Sequence, residues 1–230
     1  MNRSHLAAAL LLAGSWLAPW PALAGTIVDR IVAIVNGQII LQSDWDDAIR
    51  YQALVENRAP DVISADARKA ALDHLIDQEL LKEQMNVADF HPASEEDVAR
   101  QISEIRKQHP EAEGTEGWSK LLAAYGFTEA ELKQCVASQI DLMRLVDERL
   151  RPNVSIDSST IESYYNRELL PQLRQSGAED VPLAEVTPKI KELLTQEKVN
   201  ELLVAWLHNL RSSSDIRKEA ENAGAGKGLQ

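Results

Sequence analysis

A long apolar stripe near the C-terminus constrains the fold of this 230-residue chain more than any other feature. Between residues 183 and 211, apolar side chains recur at helical spacing, at Ile190, Leu193, Leu194, Val199, Leu202, Leu203, Trp206 and Leu210. We place a C-terminal helix within 183–211 and take Thr187-Pro188 as its first turn, because proline suits the first helical position. About 24 residues at ~1.5 Å each make a rod of roughly 36 Å. So long an apolar face must be buried, and the C-terminus is therefore expected to return to the N-terminal elements.

Residues 27–41, IVDRIVAIVNGQIIL, predict a β-hairpin. Both arms are rich in valine and isoleucine, and Asn36-Gly37 is the dipeptide that a two-residue type I′ turn favours. An isolated hairpin is marginal in water, so it must pack on helices or gain a third strand. Residues 215–217 could supply that strand, and Ser43 is predicted to cap the helix that follows the hairpin.

Most of the remaining chain predicts helices, so the fold class is mostly α with one small hairpin and a long C-terminal helix. Helical periodicity runs through 64–86, then from Pro92-Ser94, through 118–125, and from 128 to about 150. Thr128 and Glu131 form a capping box, and Ser159 with Glu162 can form another. Residues 174–182, RQSGAEDVP, are predicted to be a linker, and 218–230 a disordered tail.

The first 24 residues are typical of a secretory signal peptide. A weakly basic start precedes the apolar run LAAALLLA (6–13), prolines break the run, and Ala22-Leu23-Ala24 offers small residues for cleavage after Ala24. A spanning helix needs ~20 apolar residues, so an uncleaved anchor is disfavoured. The pattern predicts an exported, periplasmic chain that is not anchored in the membrane.

Charge and cysteine content exclude several classes of function. The chain has 24 basic and 36 acidic residues, a net charge of −12, and carries no basic cluster suited to a phosphate backbone, so a nucleic acid is not an expected partner. A single cysteine, Cys135, excludes an internal disulfide framework and a multi-cysteine metal site.

Three segments together carry a family resemblance. They are VDRIVAIVNGQIILQSD (28–44), then RKAALDHLIDQELLKEQMNV (68–87) with the helices that follow it to RPNVSIDSSTIESYYNREL (151–169), and finally PLAEVTPKIKELLTQEKVNELLVAWLHNLRSSSDIR (182–217). In this order they resemble the chaperone regions of the SurA family of periplasmic chaperones and prolyl isomerases. The resemblance covers 26–217. It implies one chaperone domain over 25–217, with an N-terminal part at 26–170, similar to the peptide-binding part of trigger factor.

The sequence departs from the family where a parvulin isomerase domain would be inserted. About a dozen residues separate Leu170 from Pro182, whereas such a domain needs on the order of 100 residues. The resemblance therefore implies an ATP-independent chaperone for unfolded envelope proteins, outer-membrane β-barrel precursors above all, and not an enzyme. Two alternatives stay open: residual prolyl isomerase activity, and a dedicated adaptor of one envelope or secretion complex.

An apolar groove for extended polypeptides would be lined by aromatic and methionine side chains, which are large and adaptable. The candidates are Trp45, Tyr51, Met85, Met143, Tyr164 and Tyr165. Stripe position instead favours a core role for Trp118, Tyr125 and Trp206.

Catalytic and metal chemistry has little support in the sequence, and no cofactor or metal is expected. Cys135 lies in the middle of a helix close to its apolar stripe, where a small apolar residue suffices. His109 continues the stripe of Val98, Ile102 and Ile105, and is predicted to lie at a helix end near the core. The pair His74 and Asp77 is interpreted as a solvated polar face, and the acidic run 111–116 as a solvated loop.

Overall fold

The computed structural model describes residues 29–59, 64–85 and 91–219. The predicted signal peptide lies outside these ranges, as does the predicted tail beyond residue 219. The chain folds as β1 (Ile31–Val35), β2 (Gln38–Leu41), α1 (Gln42–Val55), α2 (Ala65–Met85), α3 (Glu95–Lys107), α4 (Gly114–Ala124) and α5 (Glu129–Leu150). A 3-10 turn (Arg151–Asn153), α6 (Ser158–Tyr164), a π turn (Tyr165–Leu169), α7 (Leu170–Ser176), α8 (Leu183–Ser213) and β3 (Ile216–Lys218) follow. The mostly α fold class is confirmed.

The sheet joins the two ends of the described chain. Strands β1 and β2 form the predicted antiparallel hairpin, and its turn residues Asn36 and Gly37 have φ values of 48° and 89°, as a type I′ turn requires. Strand β3 pairs antiparallel with the other edge of β1, so the order is β2-β1-β3. The return of the C-terminus and the third strand are both confirmed.

Two predicted helix caps are wrong, because other side chains accept the free backbone N–H groups at these helix starts. Helix α1 begins at Gln42, and the Asp44 carboxylate accepts the Leu41 backbone N–H at 2.8 Å. Ser43 does not cap it, because its hydroxyl donates to Asp29 instead. Helix α6 is capped by Asp157, which accepts the Thr160 N–H at 2.7 Å in place of the predicted Ser159 box.

Helix α5 begins as predicted. Thr128 accepts the Glu131 N–H at 3.2 Å, and the Glu131 carboxylate accepts the Thr128 N–H at 2.7 Å. This reciprocal pair satisfies two donors that the helix itself cannot satisfy.

The start of α8 differs from the prediction. The helix begins at Leu183, so Pro188 lies inside it and not in its first turn. Proline leaves the carbonyl four residues back, that of Ala184, without a helical donor, and Ala184 is exposed, so water can satisfy it. The preceding helix also runs to Ser176, where Gly177 (φ 73°) ends it, so the connection spans 177–182 and is shorter than the predicted 174–182.

Three apolar clusters form the core. The first joins α1, α3, α4 and α5 and contains the predicted core residues Trp118 and Tyr125. The second lies between the sheet and the stripe of α2, with Leu72, Ile76 and Leu80 almost completely buried. The third joins Leu81 of α2 with Leu142 and Leu145 of α5, and the second half of α8 packs against it. The N-terminal helices and the C-terminal helix therefore share one core.

The two halves of α8 bury opposite sides. Its buried residues are Ile190 and Val199, nine residues apart, which at 100° per residue is a rotation of about 180°. The Tyr165 hydroxyl donates to the Val181 carbonyl at 2.7 Å, which places the start of α8 beside the π turn and its next turns against α6. From Val199 onward the helix packs on α2 and α5. We call residues 158–191 the arm, and the sheet with α1–α5 the body.

Candidate peptide-binding surface

Helix α8 leaves aliphatic side chains exposed on one of its sides. Leu193 and Val204 on that side are 42% and 69% exposed. Eleven residues separate them, so they point within about 20° of each other and lie roughly 16 Å apart along the helix. The exposed residues Glu197 and Asn200 lie between them. The result is a discontinuous apolar strip, defined here as Leu193 and Val204, with polar groups along its centre.

Helix α5 carries a second uncovered apolar side chain. Met143 is 63% exposed, although its neighbours Leu142 and Leu145 are buried in the cluster against which α8 packs. A single exposed apolar residue is ordinary on a protein surface. Met143 matters because it is long and flexible, and because it lies on one of the two helices that hold the second half of α8.

Two arginines near the end of α5 fix α8 to the body. The Arg149 guanidinium lies 4.9 Å from the centre of the Trp206 ring, a cation–π contact on a half-buried indole. Arg151 donates to both Asp147 oxygens at 3.0 Å, to the Glu192 carboxylate at 3.0 and 3.1 Å, and to Gln196 at 3.3 Å. Hydrogen bonds to Asp147 and then to Glu192 raise the pKa of Arg151, so the contact keeps its charge across the physiological range.

The six predicted groove residues, all of which the structure describes, are not gathered at one place. Met143 is exposed, whereas the other five are half-buried. Trp45 packs beside the sheet, donates its indole N–H to the Arg68 carbonyl at 2.8 Å and lies under the Arg68 guanidinium. Met85 packs against the cluster at α8. The groove assignment of these residues stays a prediction.

The three tyrosines are half-buried, and Tyr51 and Tyr165 have partners within the fold. Tyr51 packs against the first cluster, and burial, with a smaller effect of Cys135, raises the pKa of Tyr51 to about 12. Tyr164 and Tyr165 lie where α6 passes into the π turn, and Tyr165 is engaged with the loop before α8. These two are the predicted groove residues that lie within the arm.

Sequence reasoning missed the exposure of the α8 strip. Leu193 fell on the predicted buried stripe, and Val204 was not singled out. The signal was present, because aliphatic residues occur all around α8 rather than on one side. A helix with that pattern has more apolar surface than one neighbouring layer can cover.

Polar groups elsewhere serve the fold. His109 is 1% exposed, its Nε2 lies 2.8 Å from the Leu54 carbonyl oxygen and its Nδ1 lies 3.1 Å from Glu111, which confirms the prediction that it lies near the core. Burial raises the pKa of the Cys135 thiol, which disfavours the reactive thiolate. Asp77, interpreted above as part of a solvated polar face with His74, is half-buried and accepts a hydrogen bond from Arg211 at 2.6 Å, a contact that ties α8 to α2.

Between α3 and α5 lies a shallow cavity of about 540 Å³. Three alanines (Ala93, Ala99 and Ala137), Val98 and the polar side chains of Glu95, Lys133 and Gln134 line it. Within residues 29–59, 64–85 and 91–219, no group of three or more metal-ligating side chains could hold an ion. No helix in the same ranges is long and apolar enough to cross a bilayer.

These features define a class: a mostly α-helical module in which strands from both ends of the chain share one sheet and the terminal helix returns across the N-terminal helices. A family model described as "SurA-like N-terminal domain" matches residues 21–146, more than half of the chain. The chain belongs to this family. The match ends within α5, so the arm and α8 lie outside it.

Curated relatives carry the same family name. Chaperone SurA of Xanthomonas euvesicatoria pv. vesicatoria (strain 85-10) is 30% identical over 146 residues, which are 59% of this chain and 29% of that protein. Chaperone SurA of Xanthomonas oryzae pv. oryzae (strain MAFF 311018) is 31% identical over 146 residues, with the same two shares. The matched region thus spans less than a third of the length of these relatives, and neither match shows a parvulin domain in this chain.

Proposed function

We propose that this protein is an ATP-independent chaperone that holds extended segments of unfolded polypeptides. The observation that carries the proposal is the uncovered apolar side of α8, with Leu193 and Val204 exposed on a helix that the fold otherwise anchors at both ends. The name of the relatives, Chaperone SurA, supports it.

The chemistry of this surface suits weak and adaptable binding. Leucine, valine and methionine side chains accept many partner shapes, and each contributes at most ~1.5–3 kcal/mol when it becomes fully buried. Glu197 and Asn200 keep the strip interrupted, which limits self-association. A client held by a few such contacts would be released without nucleotide hydrolysis, because each contact is broken at small cost.

The proposed clients are outer-membrane β-barrel precursors in the periplasm. Barrel strands alternate apolar and polar side chains, so an unfolded barrel offers apolar groups at every second residue. The predicted signal peptide and the family resemblance support this compartment and this client class.

The test is light scattering during dilution of a urea-denatured outer-membrane barrel into buffer with purified 25–230. Suppression of aggregation near an equimolar ratio is expected. Val204→Ser should weaken suppression, whereas Lys120→Ser, at a 75% exposed side chain on α4, should not. A folded protein that leaves aggregation unchanged would contradict the proposal.

The two alternatives give different results in companion assays. Acceleration of a proline-limited refolding reaction would indicate an isomerase. Purification with one stoichiometric partner, without affinity for unfolded barrels, would indicate a dedicated adaptor.

A further inference from the structure

We propose that Arg151 is a positioning residue that fixes the first half of α8, and with it the arm, against the body and thereby sets the orientation of the uncovered side of α8 at Leu193. The inference rests on the proposed function for its consequence in client binding. The positioning of the arm by Arg151 does not depend on a client.

The arm has little core of its own. Of residues 158–191, all of which the structure describes, only Ile161 and Ile190 are buried. The body, in contrast, holds three clusters of buried side chains. Buried apolar contacts decide how far a segment resists local opening, so the arm is the part of the molecule whose position depends most on individual polar contacts.

Arg151 lies at the junction between arm and body. It follows the last residue of α5 and is the first residue of the 3-10 turn, with Pro152 directly after it. Its guanidinium contacts Asp147 on α5 and both Glu192 and Gln196 on α8. Those α8 residues lie between Ile190 and Val199, which are buried on opposite sides of the helix.

The guanidinium is suited to this junction. It offers five N–H donors in a fixed plane, whereas a lysine ammonium offers a point charge on a flexible stem. Arg151 uses Nε toward α5 and both terminal nitrogens toward α8. It therefore restrains the rotation of the first half of α8 as well as its distance from the body, and this rotation decides where Leu193 points.

Because the partners of Arg151 are exposed, the contact contributes to the orientation of α8 more than to the free energy of unfolding. The Arg151 side chain is 33% exposed and that of Glu192 is 65% exposed, and exposed ion pairs contribute little to the stability of a fold. A contact of this kind can still favour one arm orientation over others, because the arm itself contributes only two buried side chains, those of Ile161 and Ile190.

The experiment compares Arg151→Ala, Arg151→Lys and Glu192→Ala in the 25–230 protein with Arg174→Ala as the control. Arg174 pairs with Asp180 at 2.7 Å, and both residues lie within the arm. Amide hydrogen exchange and the distance between spin labels at 168 in the arm and 120 in the body are measured in a Cys135→Ser background, without a client.

Arg151→Ala and Glu192→Ala should make the arm amides exchange at least about tenfold faster and broaden the label distance, while amides of α2 and α5 stay within about twofold. Arg151→Lys should fall between wild type and Arg151→Ala, and Arg174→Ala should match wild type. An unchanged arm, or equal acceleration of exchange in arm and body, would overturn the proposal.

Client affinity is a separate readout. Arg151→Ala should weaken binding of an unfolded barrel segment by roughly the same factor as it loosens the arm. If the wild-type protein binds no unfolded segment while the arm still loosens in Arg151→Ala, the chaperone function fails and the positioning role stands. If binding is normal in a variant with a loosened arm, the link between arm orientation and client binding is refuted.

Discussion

Two valines on α8 offer a matched test of how the helix is used. Val199 is 1% exposed, and Val204, five residues later on the same helix, is 69% exposed. Each Val→Ala change removes two methyl groups at a helical site. The same chemistry should therefore give different results, because only one of the two sites excludes water.

The expected loss follows from burial. Two buried carbons are worth ~0.8 kcal/mol each on transfer from water, and the cavity left at Val199 adds to this, so Val199→Ala should cost about 2 kcal/mol. For a chain of this size that corresponds to a fall in Tm of roughly 4–8 °C. Val204→Ala should change the free energy of unfolding by less than ~0.5 kcal/mol, as is usual for surface sites.

The assay is urea unfolding followed by far-ultraviolet circular dichroism and by tryptophan fluorescence. Trp45, Trp118 and Trp206 report on the sheet side, the first cluster and α8. Both signals should shift together in Val199→Ala, because α8 shares a core with α2 and α5. Equal stabilities of the two variants, or separate transitions for the two signals, would refute the packing of α8 into one cooperative unit.

Three further predictions concern local structure. Thr128→Ala should lower the free energy of unfolding by ~1 kcal/mol, because it removes the cap of α5, and urea unfolding measures this. Gly37→Ala should cost ~1–2 kcal/mol in the same assay from its positive φ of 89° alone, since nothing lies within 4 Å of the added carbon. Hydrogen bonds from Ser94 and then Arg144 lower the pKa of Asp97 from 3.8 to about 2, so its ionised form stabilises the fold. The stability advantage over Asp97→Asn should be complete above about pH 5 and lost as the pH falls through about 2, and an advantage that persists unchanged at pH 2 would contradict it.

The elements set by local chemistry could be predicted from the sequence. Asn36-Gly37 determines the turn of the hairpin, and Thr128 with Glu131 determines the start of α5, because in both cases the deciding groups lie within four residues. The return of the C-terminus was also predictable, since an apolar helix of that length has no other way to be buried.

Helix starts that depend on tertiary contacts could not be predicted from the sequence. Ser43 has the chemistry of a cap but donates to Asp29 instead, a residue fourteen positions away. Pro188 suits a first turn, yet the helix starts five residues earlier, where the connection from α7 places it. In both cases the structure departs from a common local preference, and for Ser43 the reason is a contact with a residue distant in the sequence.

The residues of the candidate site could likewise be predicted only in part from the sequence. Large aromatic residues were predicted to face a client, and that assignment stays a prediction; aromatic rings also bury the most surface, and Trp45 and Tyr51 are half-buried beside core clusters. The exposed large apolar residues of α8, Leu193 and Val204, are aliphatic. Their exposure depends on how each half of α8 packs against the arm or the body, which are tertiary contacts that the sequence does not display.

The most direct test of the account is to map where an unfolded client touches the protein. A photo-crosslinking amino acid replaces Leu193, Val204 or Met143 in turn, with Lys120 on α4 as the control, and each variant is irradiated with a urea-diluted outer-membrane barrel. The account predicts client adducts at 193 and 204, a weaker adduct at 143, and none above background at 120. Equal crosslinking at all four positions, or crosslinking at 120 alone, would contradict the claim that the uncovered side of α8 holds the client.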